Sequence, residues 1–319
     1  MTPIYHDIFL EHDTGAHPEN AQRLKVLQPL PLTDLIDGEP FLSIIHKQSY
    51  IEQVKDLCRR GGGYLDADTV VSRRSYEAAV AAVAATVMAS RSRGFAVVRP
   101  PGHHAHPDHA AGFCLFNNIA IAAQELVRQG KKVLIFDFDG HLGDGTERYF
   151  YGTDQVMYWS IHQFPAFPHG GDEDQIGEGR GKGFTINVPL PPGSGDDIFF
   201  KAVEHVLPAA KAFGPDVVAV SAGFDAYQHD PLLDLRLSAS AFYKIGKVLR
   251  DNFDNVFAAL EGGYNTEALP SCFNNFLRGI NGQDIFHAER PTDSRVQVIE
   301  EFDLRLGSLA WNLAPYWKI

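Results

Sequence analysis

The sequence predicts an α/β protein with a mostly parallel β-sheet, because short apolar segments alternate with amphipathic ones along the chain. The predicted strands cover residues 95–98, 133–138, 156–161, 184–188, 217–220 and 256–260. Between several of them, apolar side chains recur at helical spacing, over residues 75–89, 117–128, 196–212 and 238–253. No internal repeat or long linker interrupts this pattern, so we expect one domain over residues 1–319.

Residues 133–138 form the most diagnostic of the predicted strands. Their side chains are apolar up to Asp137 without polar alternation, as in a strand that is covered on both faces. Asp139 and His141 then continue the period-2 spacing. A buried carboxylate is costly unless a partner or a metal ion neutralises it, and zinc accepts carboxylate and imidazole ligands. The run therefore predicts a metal site rather than an aspartate that only caps a turn.

The composition narrows the class of protein. Apolar residues make up 45% and charged residues 21% of the chain, which is ordinary for a globular enzyme. No stretch approaches the roughly 18 apolar residues of a membrane span, and the first residues lack the pattern of a secretory signal. A formal charge of −12 argues against nucleic acid as a direct partner. Three scattered cysteines (Cys58, Cys114 and Cys272) predict a reducing, cytoplasmic setting.

Ionisable groups follow four of the predicted strands. The carboxyl ends of parallel strands meet at one edge of a sheet, so these groups should converge. They are His103 and His104 after the first strand, Asp139 and His141 after the second, Asp225 after the fifth and Tyr264 after the sixth. This convergence, with glycines nearby, predicts an enzyme.

Two carboxylates and one imidazole from these strand ends form a candidate zinc site. Asp139, His141 and Asp225 would leave coordination positions open for water and substrate, as a catalytic zinc site requires. Each residue also has a plainer interpretation: Asp225 could simply begin a turn, and the crowded histidines after the first strand could form a surface cluster that traps metal. The joint placement at strand ends favours the catalytic interpretation.

Two histidines and a tyrosine are candidates for proton transfer and carbonyl polarisation. His103 and His104 suit general acid and base catalysis near neutral pH. Each needs an acceptor on its far ring nitrogen, and Asp137 and Asp144 are the candidates. Tyr264 offers a neutral donor to a developing oxyanion, although Gly-Gly-Tyr is also a common turn.

The residues above lie in short segments that occur in a fixed order over nearly the whole chain. The segments are HPEN (17–20) with RL (23–24), RPPGHHA (99–105), GFCLFNN (112–118), DFDGH (137–141), GDGT (143–146), SIHQ (160–163), SAGFDA (221–226), DP (230–231) and LEGGYN (260–265). In this ordered set the chain resembles the zinc-dependent histone deacetylase and acetylpolyamine amidohydrolase family, nearer its class II and bacterial branch.

The resemblance implies a three-layer, arginase/deacetylase-type α/β fold with a central, mainly parallel eight-stranded sheet. It implies a Zn²⁺ ion bound by Asp139, His141 and Asp225 in a single deacetylase domain. It also implies structural K⁺ ions, one ringed by Asp137, Asp139, His141, Ser160 and Ile161, and another by Phe150, Thr153 and Val156.

The implied reaction is hydrolysis of an N-acetyl amide, of acetyl-lysine in proteins or of a related acetylated amine, to acetate and free amine. His103 and His104 would be the tandem catalytic pair, with His104 the general base, and Tyr264 would polarise the scissile carbonyl. The implied substrate-binding residues are Gly112, Phe113, Phe167 and, at the rim, Asp68.

Three positions depart from the family pattern. Leu142 stands where a second histidine usually follows the metal-binding one, Tyr227 replaces a usual histidine, and His169 replaces a common glycine. Our hypothesis is that Leu142 changes the packing around the site and not metal binding.

Several functions stay open at this point. The substrate could be a small N-acetylpolyamine, or Leu142 could leave a weakly active protein that only binds acyl-lysine. An arginase-like ureohydrolase with two manganese ions is disfavoured, because Tyr227 stands where a further aspartate would be needed. The oligomeric state is also left open.

Overall fold

The computed structural model describes residues 1–318, and its centre is a sheet of seven parallel strands. Residues 1–318 contain nine strands, of which seven form this sheet: β1 (Pro3–Ile4), β2 (Gly62–Tyr64), β3 (Val70–Ser72), β4 (Phe95–Ala96), β5 (Val133–Asp137), β6 (Val156–Gln163), β7 (Thr185–Leu190), β8 (Val217–Ala222) and β9 (Val256–Leu260). The order in the main sheet is β1-β4-β9-β8-β5-β6-β7, and β2 pairs with β3 in a separate antiparallel ribbon.

The predicted fold class is confirmed, but the strand count was wrong. Within residues 1–318 the main sheet has seven strands and not eight, and every pairing in it is parallel. The segment 95–98 is a strand only at Phe95–Ala96, since its edge partner β1 has two residues. Strand length thus depended on the partner strand, which local hydrophobicity does not reveal.

Helices connect the strands and cover the sheet. They are α1 (Gln22–Lys25), α2 (Glu39–Leu42), α3 (Gln48–Arg59), α4 (Ser75–Ser92), α5 (Asn118–Arg128), α6 (Asp144–Phe150), α7 (Asp196–Phe213), α8 (Ala239–Asn252), α9 (Leu269–Ile280) and α10 (Val296–Leu313), with 3₁₀ turns at Asp7–Glu11 and Gly179–Gly181. The four predicted helices correspond to α4, α5, α7 and α8. The side chains of Asn117 and Ser238 begin two of them by accepting the N–H of Ala120 and Ala241.

The apolar strand segments are buried because helices lie against the sheet. Strands β5 to β9 are buried along their whole length. From α9, the ring of Phe276 lies 5.8 Å from that of Phe95 and 5.4 Å from that of Phe138.

The three cysteines are buried, and none of them forms a disulfide within residues 1–318. Among the helices of residues 1–318, we find none that combines the length and the apolar character needed to cross a bilayer.

The sheet order explains why the ionisable groups converge. Strands β4, β9, β8 and β5 are consecutive neighbours. These are the four strands whose carboxyl ends lead to the groups singled out in the sequence. Since all four strands are parallel, their loops emerge at the same edge of the sheet.

Candidate active site

Two aspartates and a histidine meet at this edge. One side-chain donor atom from each of Asp139, His141 and Asp225 lies within 4.8 Å of the others. Nδ1 of His141 lies 2.9 Å from Oδ2 of Asp225 and 3.2 Å from Oδ1 of Asp139. Both carboxylates are fully buried, whereas a small part of the imidazole remains accessible. The structure therefore brings together the three residues that the sequence predicts as metal ligands.

Backbone groups hold the two carboxylates in place. The N–H of Gly262 donates to Oδ2 of Asp139 at 2.7 Å, and the N–H of Gly140 donates to Oδ1 of Asp225 at 2.7 Å. A Cβ atom at Gly223 would lie 2.0 Å from Oδ2 of Asp139. Close approach of the backbone to the carboxylates thus requires glycine at this position.

The charges of this cluster fit a bound cation. Burial lowers the pKa of His141, but the Asp225 and Asp139 carboxylates outweigh it and raise that pKa to about 10. Burial and the Asp139 charge raise the pKa of Asp225. The three groups therefore favour a positive charge between them, and their oxygen and nitrogen donors are those that zinc accepts.

Each of the two adjacent histidines lies against its own aspartate. Nδ1 of His103 is 3.2 Å from Oδ2 of Asp137, and Nδ1 of His104 is 2.7 Å from Oδ1 of Asp144. A neutral imidazole that donates its Nδ1–H to a carboxylate keeps a lone pair on Nε2. The structure thus contains both expected histidine–aspartate pairs, while their catalytic roles stay predictions.

The surroundings push the pKa values of the two histidines apart. Burial opposes the charged form of His103, but the Asp139 and Asp137 charges raise its pKa well above 6.5. Burial and the neighbouring His103 lower the pKa of His104 to about 4. Divergent pKa values in adjacent groups are typical of acid and base pairs.

Tyr264 is held by its backbone and by its ring face. Its N–H donates to Oδ2 of Asp230 at 2.7 Å, and the Arg23 guanidinium carbon lies 4.9 Å from its ring centroid. Arg23 also donates through Nε to the carbonyl of Gly263 at 2.7 Å. Burial raises the pKa of Tyr264 well above 10, so its hydroxyl stays protonated and able to donate.

A buried ionic cluster, for which the sequence predicted no role, supports the tyrosine loop. Glu19 accepts hydrogen bonds from Arg99 Nη2 at 2.8 Å and from Arg23 Nη1 at 3.3 Å, and all three side chains are fully buried. Burial raises the pKa of Glu19, but Arg99 outweighs it and lowers that pKa to about 2. The signal available in the sequence was the presence of these charges in the ordered segments HPEN, RL and RPPGHHA.

Glu261 is a second residue whose role was missed. Its Oε2 accepts the N–H of Gly102 at 2.7 Å and of His103 at 3.1 Å. It is fully buried, so these bonds fix the backbone that carries the two histidines, whose ring centroids lie 4.0 Å apart. Its position directly before Gly262 was the only sequence signal.

Aromatic rings flank the paired histidines and the tyrosine. The Phe167 ring centroid lies 5.0 Å from that of His104, and that of Phe113 lies 5.8 Å from that of Tyr264. Phe167 is 40% exposed, so it lies at an opening and not in the core. A Cβ atom at Gly112 would lie 2.4 Å from the His104 ring, which requires glycine there.

The predicted rim acid is joined to this wall. Asp68 precedes Thr69, whose Oγ1 accepts the N–H of Phe113 at 3.1 Å. Burial and the neighbouring Asp66 raise the pKa of Asp68. The loop that carries this acid is therefore fixed beside Phe113, and its contact with substrate stays a prediction.

The departures from the family pattern have clear locations. Leu142 is buried, with 2% of its surface exposed, and its side chain lies beside Gly171. A Cβ atom added to Gly171 would lie only 3.1 Å from Cδ2 of Leu142. The hydroxyl of Tyr227 donates to Glu289 at 3.4 Å. His169 adopts a left-handed φ of 67°.

Some of the residues predicted to surround the two potassium ions lie next to each other in the structure. Asp137 pairs with Ser160 across β5 and β6. The N–H of Thr153 donates to the carbonyl of Phe150 at 3.2 Å, which closes the turn before β6. Both potassium sites stay predictions.

Comparison with known proteins identifies what this chain is similar to. The histone deacetylase domain model matches residues 17–280. The chain is 31% identical to a probable deacetylase of Archaeoglobus fulgidus, over 99% of this chain and 98% of that protein. It is 35% identical to a histone deacetylase-like amidohydrolase of Pseudomonas aeruginosa, over 82% of this chain and 77% of that protein.

Solved structures show the same fold. The HD domain of HDA15 superimposes with a TM-score of 0.89 at 29% identity, covering 99% of this chain and 94% of that one. An acetylpolyamine aminohydrolase from Burkholderia pseudomallei superimposes with a TM-score of 0.81 at 27% identity, covering 88% of this chain and 98% of that one. These matches confirm the predicted fold class.

Proposed function

The chain belongs to the histone deacetylase family, and we propose that it is a zinc-dependent hydrolase that cleaves an N-acetyl amide to acetate and a free amine. One observation carries this proposal: the cluster of Asp139, His141 and Asp225 lies at the same sheet edge as two histidine–aspartate pairs. We also propose that residues 1–319 act as one deacetylase domain in the cytoplasm.

Asp139, His141 and Asp225 would hold the zinc ion. Bound there, zinc would lower the pKa of a water molecule and polarise the substrate carbonyl. The backbone N–H groups of Gly262 and Gly140 keep the two carboxylates directed at the same point. The same edge would hold the structural potassium ion next to Asp137 and Ser160.

The paired histidines would move the protons of the reaction. His104 donates Nδ1–H to Asp144, so its Nε2 lone pair can accept a proton from the attacking water. His103 lies between the carboxylates of Asp137 and Asp139, with Nδ1 and Nε2 at 3.2 and 3.9 Å. These charges favour a protonated ring, so we propose that His103 supplies the proton to the leaving amine.

Tyr264 would stabilise the negative charge that develops on the carbonyl oxygen. Its hydroxyl is a neutral donor, and its loop is fixed by the bonds to Asp230 and Arg23. A donor that is already in place needs no reorganisation when the charge forms.

The aromatic side chains beside the site favour a substrate whose acyl group lies at the end of an aliphatic chain. Phe113 and Phe167 would cover that chain, at roughly 0.8 kcal/mol for each methylene removed from water. Asp68 and the net charge of −12 favour a substrate or product that carries positive charge. We therefore propose acetyl-lysine in proteins as the substrate. An N-acetylpolyamine is the second candidate, favoured by the likeness to the solved acetylpolyamine aminohydrolase.

The test is a side-by-side assay of purified, zinc-loaded protein on an acetyl-lysine peptide and on N-acetylputrescine. We expect acetate release from at least one of them. A kcat/KM that is more than about tenfold higher for one substrate than for the other assigns the substrate class. Asp225→Asn is the matched control, which keeps the side-chain size and removes one ligand charge. No turnover of either substrate by protein with zinc bound would favour a protein that only binds acylated ligands.

A further inference from the structure

We infer that His106 is a positioning residue for the proposed base His104, acting through the second oxygen of Asp144. Oδ1 of Asp144 is 2.7 Å from Nδ1 of His104, and Oδ2 is 2.9 Å from Nε2 of His106. One carboxylate thus bridges two imidazoles. This inference rests on the proposed function, because it assigns His106 to the same reaction.

The bridge fixes the orientation of Asp144. A carboxylate with one partner can rotate about its terminal bond, whereas rotation here breaks hydrogen bonds at both oxygens. Burial raises the pKa of Asp144, but the hydrogen bonds from His104 and His106 outweigh it and keep the carboxylate ionised. An ionised acceptor in a fixed direction selects the Nδ1–H tautomer and the ring orientation of His104.

The backbone of His106 is held on both sides. Its N–H donates to the carbonyl of His109 at 3.0 Å. The N–H of Asn117 donates to Nε2 of His46 at 2.9 Å, so the proton of a neutral His46 ring lies on Nδ1. That Nδ1–H donates to the carbonyl of His106 at 3.0 Å. The side chain therefore reaches Asp144 from a loop whose backbone is hydrogen-bonded at both the N–H and the carbonyl of His106.

The bridge also extends from the buried base toward solvent. The side chain of His104 is 5% exposed, while those of Asp144 and His106 are 21% and 18% exposed. The ring of His106 stacks on that of His109 at 4.3 Å with an interplanar angle of 10°. In the part of the chain that the structure describes, His106 is hydrogen-bonded to Asp144 and His109 is not. Mutating each of the two stacked histidines therefore distinguishes the hydrogen bond from the stacking.

Substitutions at 106 test the role of the donor. We expect His106→Ala and His106→Met to lower kcat about tenfold with KM within about twofold, which is the low end of the 10–100-fold lost when a hydrogen-bond partner of a metal ligand is removed. His106→Gln can still donate an N–H to Asp144, so it should retain kcat within about threefold of the parent. Bound zinc should be unchanged in all three. His109→Ala is the matched control and should match the parent within about twofold.

A double-mutant cycle with Asp144→Ala separates positioning from general packing. If His106 acts through Asp144, His106→Ala causes no further loss in the Asp144→Ala background. Two results would overturn this inference but not the proposed function. One is an active parent whose kcat does not change with Ala or Met at position 106. The other is a double mutant in which the two kcat losses multiply. A zinc-loaded parent without turnover would overturn the proposed function, and this inference with it.

Discussion

The backbone N–H of Gly262 donates a 2.7 Å hydrogen bond to Oδ2 of Asp139, a residue 123 positions earlier in the chain. The bond joins the loop after β9 to the end of β5, with β8 between them in the sheet. Tyr264 follows two residues later on that loop. One contact therefore couples the position of the proposed oxyanion donor to that of a proposed metal ligand.

Gly262→Ala should disrupt metal binding. A Cβ atom at this position would lie 2.2 Å from Oδ2 of Asp225 and 2.7 Å from Oδ2 of Asp139, so the carboxylates must move apart. We expect zinc affinity to fall by about tenfold or more, measured by metal analysis after dialysis against a zinc buffer. Gly307→Ala is the control, since nothing lies within 4 Å of its added Cβ. Normal zinc affinity in Gly262→Ala would contradict the close packing of Gly262 against the two carboxylates.

Tyr264→Phe should lower kcat and leave zinc bound. The substitution removes the hydroxyl while the Asp230 bond to the backbone N–H is retained. Loss of one oxyanion donor costs about 10²–10³ in kcat, so a fall of this size is expected in a steady-state assay. Tyr64→Phe, at a side chain that is 70% exposed, should behave as the parent. If Tyr264→Phe hydrolyses the substrate as fast as the parent, the assigned role is wrong.

Stability should fall as the pH is lowered from about 6.5 to about 4. Burial lowers the pKa of His46 from 6.5 to about 4, although backbone hydrogen bonds raise it in part. In this range the unfolded chain takes up a proton at His46 and the folded chain does not, so protonation favours unfolding. The slope is about 1.4 kcal/mol per pH unit, on the order of 3 kcal/mol over the whole range.

Urea unfolding of the parent and of His46→Gln at several pH values measures this contribution. The variant lacks the titrating group, so its free energy of unfolding should decline less between pH 6.5 and 4. At pH 7.5 the variant should be the less stable protein, because it loses the hydrogen bonds to Asn117 and to the His106 carbonyl. Equal slopes for the two proteins would show that folding does not lower the pKa of His46.

Leu142→His should leave zinc binding unchanged and lower stability. Leu142 is part of the hydrophobic core, and its side chain lies beside Gly171, so an imidazole at this position would lose its hydration. A cost of roughly 1–3 kcal/mol is expected in the free energy of unfolding. Leu142→Met, with a similar volume, should cost less than about 1.5 kcal/mol. A large rise in bound zinc on Leu142→His would instead show that the missing histidine weakens the metal site.

The sequence predicted the fold class and the convergent residues for one reason. Parallel strands place their carboxyl ends at a single edge, so the groups that follow strands 133–138 and 217–220 had to approach each other. The family resemblance implied one strand more than the sheet has, and the apolar pattern extended the strand at 95–98 two residues too far. Strand count and length depend on which segments pair, and periodicity carries no record of the partner.

By itself, the sequence determined which residue types stand at the edge of the sheet and in what order, because strand periodicity and glycine positions are local properties. Only the tertiary structure decided what holds them: Gly262 on Asp139, the Glu19 ionic cluster behind Tyr264, and the bridge from Asp144 to His106. The physical reason is that a buried polar group must be satisfied by whichever group the fold brings within hydrogen-bond distance, however far away it lies along the chain.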